Sequence, residues 1–232
     1  MKRAALIILL VLLADQTLKI WVKTHFNLGE SVPEYSADGK SYLHFIENPG
    51  MAFGMSFGGE SGKLVLTLLR IVAVIAIGFG LRSMLRNQAT TWQLASVALV
   101  FAGALGNIID STFYGLLFDK GSVWDPVAGR TVGYDDLAVL NFSGYTGIFH
   151  GSVVDMFYFP LWRGYLPEWL PFVGGKHFEF FEPVFNIADA SITVGIGLFI
   201  LTHRKKRREE PTIIAEGIAP TEAPLEAPAN VV

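Results

Sequence analysis

Four stretches of the chain are almost wholly apolar: Ala4–Val22, Leu64–Leu81, Leu94–Ile109 and Val184–Thr202, each 16 to 19 residues long. That approaches the roughly 20 residues an α-helix needs to cross a hydrocarbon core. Lipid offers a spanning backbone no hydrogen-bond partner, so helices are the expected form. The stretches between them read differently. Residues 23–63 mix aromatic and β-branched positions with Gly and Pro, notably over Ser41–Ile46 and Asn48–Gly59, a pattern of short strands and turns. Residues 112–183 carry Trp124, Trp162 and Trp169 among many Phe and Tyr, the residues that settle at the headgroup level of a bilayer. The fold class expected is an α-helical polytopic membrane protein, with four transmembrane helices and a small β-containing extracytoplasmic cap.

Composition and charge sharpen this picture. The chain has 232 residues, 51% hydrophobic and only 17% charged, against roughly 25% charged in an ordinary soluble domain. Its net charge of -3 argues against a nucleic-acid partner. Cysteine is absent, which excludes a disulfide scaffold, a thiolate nucleophile and a Cys-ligated metal. The first apolar run follows Lys2 and Arg3 as a signal peptide would, but Asp15, Gln16 and Lys19 stand where a small-residue cleavage site belongs, so it reads as a retained helix.

Lys2, Arg3, Arg82, Arg86, Arg204, Lys205, Lys206, Arg207 and Arg208 all flank one set of span ends. Positive loops stay cytoplasmic, so both termini are expected inside and segments 23–63 and 112–183 outside. After Arg208 the chain turns rich in Pro, Ala and Glu. The expected organisation is one integral-membrane unit over 1–208 and a disordered cytoplasmic tail over 209–232.

Ionisable residues in or beside the spans are the candidates for chemistry, since placing one in a bilayer costs at least ~2.5–3.5 kcal/mol. Asp15, Asp110 and Asp189 lie in or at the ends of spans, and Asp155 sits in the short apolar run Val153–Phe157, expected at the outer membrane surface. Only Lys19 and Arg70 lie within the spans to pair with them. Each Asp could therefore be a helix cap or an ion-pair member. Two carboxylates held close together would instead share a proton, and such a pair can activate water against a peptide bond without metal or nucleophile.

Five motifs occur in order: Asp15-Gln16-x-x-Lys19, Asn48-x-Gly50-x-Ala52-Phe53-Gly54, Gly106-Asn107-x-x-Asp110, Val153-Val154-Asp155 and Asn186-x-Ala188-Asp189. Together with the four-span layout they resemble the bacterial lipoprotein signal peptidase family, also called signal peptidase II. The resemblance implies an aspartic endopeptidase of the bacterial cytoplasmic (inner) membrane, with its active site near the outer face. It would cleave diacylglyceryl-modified prolipoproteins before the lipidated Cys. Asp155 and Asp189 correspond to the catalytic pair. Asn48, Gly106, Asn107 and Asn186 correspond to residues that bind substrate or line the site, and Asp15, Lys19 and Asp110 to supporting positions. Lipidated prolipoproteins and membrane lipids are the implied partners; no cofactor and no metal are expected.

Two departures accompany the resemblance. Ser111 stands where family members often carry Arg after the third motif; Arg130 and Arg163 are candidate substitutes. Leu116–His150 looks like an insertion, whose Asp119, Asp125, Asp135 and Asp136 read as loop residues because they lack the spacing of a calcium-binding EF-hand. The glycines Gly103, Gly106, Gly195 and Gly197 suit close helix packing, and Gly106 equally suits backbone access for a substrate. His25, His44, His150, His177 and His203 form no H-E-x-x-H zinc motif, and no serine-hydrolase motif stands out. The alternative from another class is a small membrane transporter with an Asp relay. It would predict inverted repeats and broken helices, and no internal repeat is evident.

Overall fold

The computed structural model describes residues 2–32, 42–49, 59–159, 162–180 and 184–209. Its long helices are α1 (Lys2–His25), α2 (Gly59–Arg86), α3 (Thr91–Ile109) and α5 (Ile187–Glu209). Among the described residues, three helical stretches are long and apolar enough to cross a membrane: Lys2–His25, Ser61–Arg86 and Thr91–Leu117. A shorter apolar helix covers Ile187–Thr202. Their outward faces are bare hydrocarbon: Leu6, Leu10, Leu69, Val72, Phe79 and Val194 are all more than half exposed. In water that surface would be costly, and in lipid it is not.

α3 is the central helix, with α1, α2 and α5 packed on it. The closest approach is to α5. A Cβ on Gly103 would lie 2.2 Å from the Ala188 carbonyl oxygen, and one on Gly106 2.7 Å from Asp15 Oδ2, so only glycine permits this spacing. A Cβ on Gly195 would lie 2.7 Å from Ser96 O, whereas one on Gly197 would meet no described residue within 4 Å. Thr90 starts α3 with a capping box, its hydroxyl accepting from the Gln93 N–H. The N-terminal residues Lys2, Arg3, Ala4 and Ile7 share a cleft with Thr91, Leu94 and Ala95, which puts the starts of α1 and α3 at one end of the bundle.

At the opposite end lies a four-stranded antiparallel sheet in the order β1-β2-β5-β8, made of Ser31–Val32, Tyr42–Asn48, Val153–Tyr158 and Val184–Phe185. Two hairpins accompany it, β3–β4 (Val123–Asp125, Arg130–Val132) and β6–β7 (Trp162–Tyr165, His177–Phe180). Three boundaries differ from the apolar pattern. The fourth helix begins at Ile187 rather than Val184, because Val184 and Phe185 pair with Tyr158 and Phe157 as strand β8. The second begins at Gly59, so the outer segment ends before residue 63. The third continues beyond Ile109 through a π-helical turn, Asp110–Tyr114, and a short α4, Gly115–Leu117. Asp155 is a buried residue of a central strand of this sheet. Residues 210–232, the body of the expected tail, and Gly50–Gly54 lie outside the described residues.

The insertion 116–150 belongs to the fold. Phe118 and Ala138 are fully buried, with Val22, Phe45 and Met156 from α1, β2 and β5, and Tyr134 and Tyr145 pack against them. Lys23 ends α1 within this cluster, its ammonium about 5 Å from the ring centroids of Phe118, Tyr134 and Tyr145. It pairs with Glu47, which also accepts from Tyr134 Oη at 3.0 Å and the Ser122 N–H at 2.6 Å. Burial, then the Glu47 charge, pushes the Tyr134 hydroxyl far up, so it stays a donor. The insertion's acids serve its own backbone. Asp125 Oδ1 accepts from Val127 and Ala128 N–H groups, Asp119 Oδ1 from the Val139 N–H, and Asp136 pairs with Lys120.

Candidate active site

The site forms where β5, the start of α5 and the end of α3 meet. Asn186 is the N-cap of α5: its Oδ1 accepts from the Asp189 N–H at 2.9 Å, and Asp189 Oδ2 accepts from the Asn186 N–H at 3.4 Å. The Asn-x-x-Asp spacing is therefore a reciprocal capping box, three residues being the span over which cap and third helical position meet. The same asparagine reaches β5, where its Nδ2 donates to Asp155 Oδ1 at 2.6 Å and to Val154 O at 3.2 Å. One side chain thus ties together the two aspartates brought from positions 155 and 189. Asn107 on α3 completes the arrangement, donating from Nδ2 to Asp189 Oδ1 at 2.8 Å and accepting from Asn186 at 3.2 Å.

Asp189 receives a donor on each oxygen and stands in the first turn of a helix, where the backbone dipole favours negative charge. Asp155 is buried and receives one side-chain donor. Burial, then the Asp189 charge, raises its carboxyl from 3.8 to about 7. The geometry makes the two acids unequal: Asp155 is buried in a strand with one side-chain donor, and Asp189 takes a donor on each oxygen at a helix start.

Behind this pair lies a second, cation-containing cluster. Lys19 Nζ is completely buried and uses all three donors, on Asp15 Oδ2 at 2.9 Å, Asp110 Oδ2 at 2.8 Å and Asn107 Oδ1 at 2.9 Å. Gln16 donates to Asp110 Oδ1 at 2.8 Å and to Asp15 Oδ2 at 3.1 Å, and accepts from Tyr114 Oη at 3.2 Å. Each of these carboxylates also holds the backbone next to one aspartate of the front pair. Asp15 Oδ1 accepts from the Ala188 N–H at 2.9 Å, and Asp110 Oδ2 from the Val154 N–H at 3.4 Å. The π turn beginning at Asp110 points carbonyls of Ser111 and Thr112 toward the incoming strand, where they accept from Gly151 and Phe149.

Asn48 ends β2 with its backbone opposite Val153, in the strand beside Asp155. Gly106 is buried between Asp15 and Ala188, a packing position, and its carbonyl accepts from Gln16 at 3.3 Å. Ser111 bonds back to the Asn107 carbonyl at 3.0 Å. Arg130 is exposed on the β3–β4 hairpin, and Arg163 lies in β6 opposite Glu179. Beside the aspartates an apolar groove is lined by Leu99, Phe157, Phe159, Phe185, Ile187 and Val194.

The chain matches the family model described as signal peptidase (SPase) II over residues 7–204. It belongs to the signal peptidase II family. Relatives include the lipoprotein signal peptidase of Porphyromonas gingivalis, 44% identical over 208 residues that cover 87% of this chain and 83% of that one. That of Amoebophilus asiaticus is 34% identical over 85% of this chain and 76% of its own. Two solved bacterial membrane enzyme structures, obtained by the in meso method, share the fold. One has a TM-score of 0.56 at 20% identity, covering 91% of this chain and 93% of its own; the other has 0.54 at 22%, covering 88% and 94%. The chain is thus an integral membrane protein and an aspartic peptidase of this family, whose work is removal of signal peptides from prolipoproteins.

Proposed function

We propose that Asp155 and Asp189 are the catalytic pair, and that they cleave diacylglyceryl prolipoproteins before the lipidated Cys using one water. The observation that carries this reading is the sharing of Asn186 by two aspartates from separate elements, neither of them in an ion pair among the described residues. A pair with one charge and one proton can run both halves of hydrolysis. Asp189 takes a proton from water as the water oxygen adds to the scissile carbonyl carbon. The Asp155 proton passes to the carbonyl oxygen, giving a tetrahedral diol. As the diol collapses, the C–N bond breaks, Asp189 delivers its proton to the leaving nitrogen and Asp155 recovers its own. The products are a signal-peptide carboxylic acid, which ionises on release to water, and a free amine on the lipidated Cys.

The apolar groove beside Phe157, Phe185 and Ile187 suits a substrate that arrives with lipid attached. Lys2, Arg3, Arg82 and Arg86 mark the bundle end opposite the sheet. By the positive-inside rule that end is cytoplasmic and the site faces the outer side of the bacterial inner membrane. The single membrane unit ends near residue 208. The test is cleavage of a purified diacylglyceryl prolipoprotein in detergent, with the product mapped by mass spectrometry. Cleavage before the modified Cys, lost in Asp155→Asn and in Asp189→Asn, is the expected result; full turnover by either variant would remove that residue from the pair.

A further inference from the structure

One basic residue of the spans is not used by either acidic cluster. Arg70 lies near the middle of α2, on the face that looks into the molecule. Its helical neighbours on that face fix the direction: Lys63 Nζ donates to Ser152 Oγ at 3.2 Å, Thr67 Oγ1 to Phe149 O at 3.2 Å, and Val74 and Leu81 are buried. The spacing of three and four residues makes positions 63, 67, 70, 74 and 81 one stripe. Arg70 is half-buried there, and the charges it feels are those of Asp189, then Asp155, then Asp110. It forms no ion pair and no hydrogen bond to a described residue, while both aspartates of the pair take their side-chain donors from Asn107 and Asn186.

A guanidinium held in a membrane span with its donors unused is expensive unless something comes to meet it. Arginine has five N–H donors and no acceptor, so its ligand must be an acceptor. Backbone carbonyl oxygens of an extended peptide are such acceptors, and the peptidase reading supplies the peptide. The helices leave room for a peptide that carries them: α2 and α5 each pack on α3, and their described residues make no extended contact with each other.

We propose that Arg70 is a substrate-binding residue, its guanidinium donating to backbone carbonyls of the signal peptide beside the scissile bond. The assignment rests on the peptidase reading above. It places a substrate-facing cation on the second helix, apart from Lys19, whose donors are all taken. Arg130 and Arg163 are then not needed for this contact.

The full-length enzyme carrying Arg70→Gln or Arg70→Lys is compared with wild type for cleavage of a diacylglyceryl prolipopeptide. Binding of the same peptide, fluorescently labelled, is measured in Asp189→Asn with and without Arg70→Gln. Loss of charge-assisted hydrogen bonds should lower kcat/KM by about 10- to 100-fold, chiefly through KM, with a matching loss of affinity in the inactive background. Lysine, a point donor without the planar fork, should recover part of the loss. Wild-type kinetics in Arg70→Gln, or a loss confined to kcat with binding unchanged, would overturn the assignment. If the Gln variant does not fold, unchanged affinity in Asp189→Asn/Arg70→Lys would overturn it equally. Wild type that cleaves while the Arg70 variants behave normally removes only this proposal; wild type that does not cleave removes the peptidase reading on which it rests.

Discussion

The molecule has two buried carboxylate clusters a few residues apart, built from the same side chains and set to opposite ends. In the rear cluster, Asp15 and Asp110 share Lys19, and every Lys19 donor is taken. In the front cluster, Asp155 and Asp189 take their hydrogen bonds, among the described residues, from amide side chains and a backbone N–H. A carboxylate pair with a resident cation is neutralised and rigid. In the proposed catalytic pair, which has none among the described residues, burial and the Asp189 charge raise the Asp155 carboxyl to about 7, so that it can serve as the acid. The rear cluster is also attached to the front one through backbone: Asp15 holds Ala188 beside Asp189, and Asp110 holds Val154 beside Asp155. In the proposed mechanism, structural and reactive charge are thus separated by the placement of Lys19.

The sharpest way to break the comparison is to exchange the consequences of mutation. Asp155→Asn or Asp189→Asn should lower turnover on the order of 10²–10⁴-fold or more while the detergent-solubilised protein keeps its thermal midpoint. Lys19→Met should do the reverse in kind: removing one partner leaves two buried acids uncompensated, a loss of about 3–5 kcal/mol seen as a lowered unfolding midpoint. Asn186→Ala touches both properties. It removes the α5 cap, worth about 1 kcal/mol of stability by calorimetry. It also strips a donor from Asp155 and should cut turnover about 10-fold or more.

The smallest effect is one of pH. With the Asp155 carboxyl raised to about 7 by burial and the Asp189 charge, the pair keeps its proton below that pH, so kcat/KM should fall above it. The folded protein holds this proton between about pH 4 and 7, where the unfolded chain has released it. Its contribution to stability is therefore complete below about pH 4 and lost as pH rises to 7. In Asp189→Asn the neighbouring charge is gone, and the Asp155 carboxyl, followed by its infrared C=O band, should titrate lower while burial holds it above 3.8.

Much of the architecture was legible in the chain, because long apolar runs have one solution in lipid and the turn-rich segments between them have few. The acids were legible too, standing out against hydrocarbon. Their division of labour was not. Lys19 and Arg70 were both available to any of four aspartates, and sequence distance does not say which pairs form across helices. Phe185 shows the same limit on a smaller scale: as part of an apolar run it reads as span, but pairing with Phe157 makes it strand and lets Asn186 begin α5. The insertion's aromatic residues, which enclose Lys23, gave no sign of that partner either.

By itself the sequence determined a helical membrane protein with acids at the edges of its spans, since hydrophobic length and the cost of buried charge act locally along the chain. The Asn186-x-x-Asp189 cap belongs to that local part, because three residues suffice to close it. Only the tertiary structure decided that Lys19 also reaches Asp110, that Asn186 reaches Asp155, and that Arg70 stands on the stripe of α2 that packs on Phe149 and Ser152. Those relations cross 30 residues or more of chain, and the packing of α1, α2 and α5 on α3 is what makes them short in space.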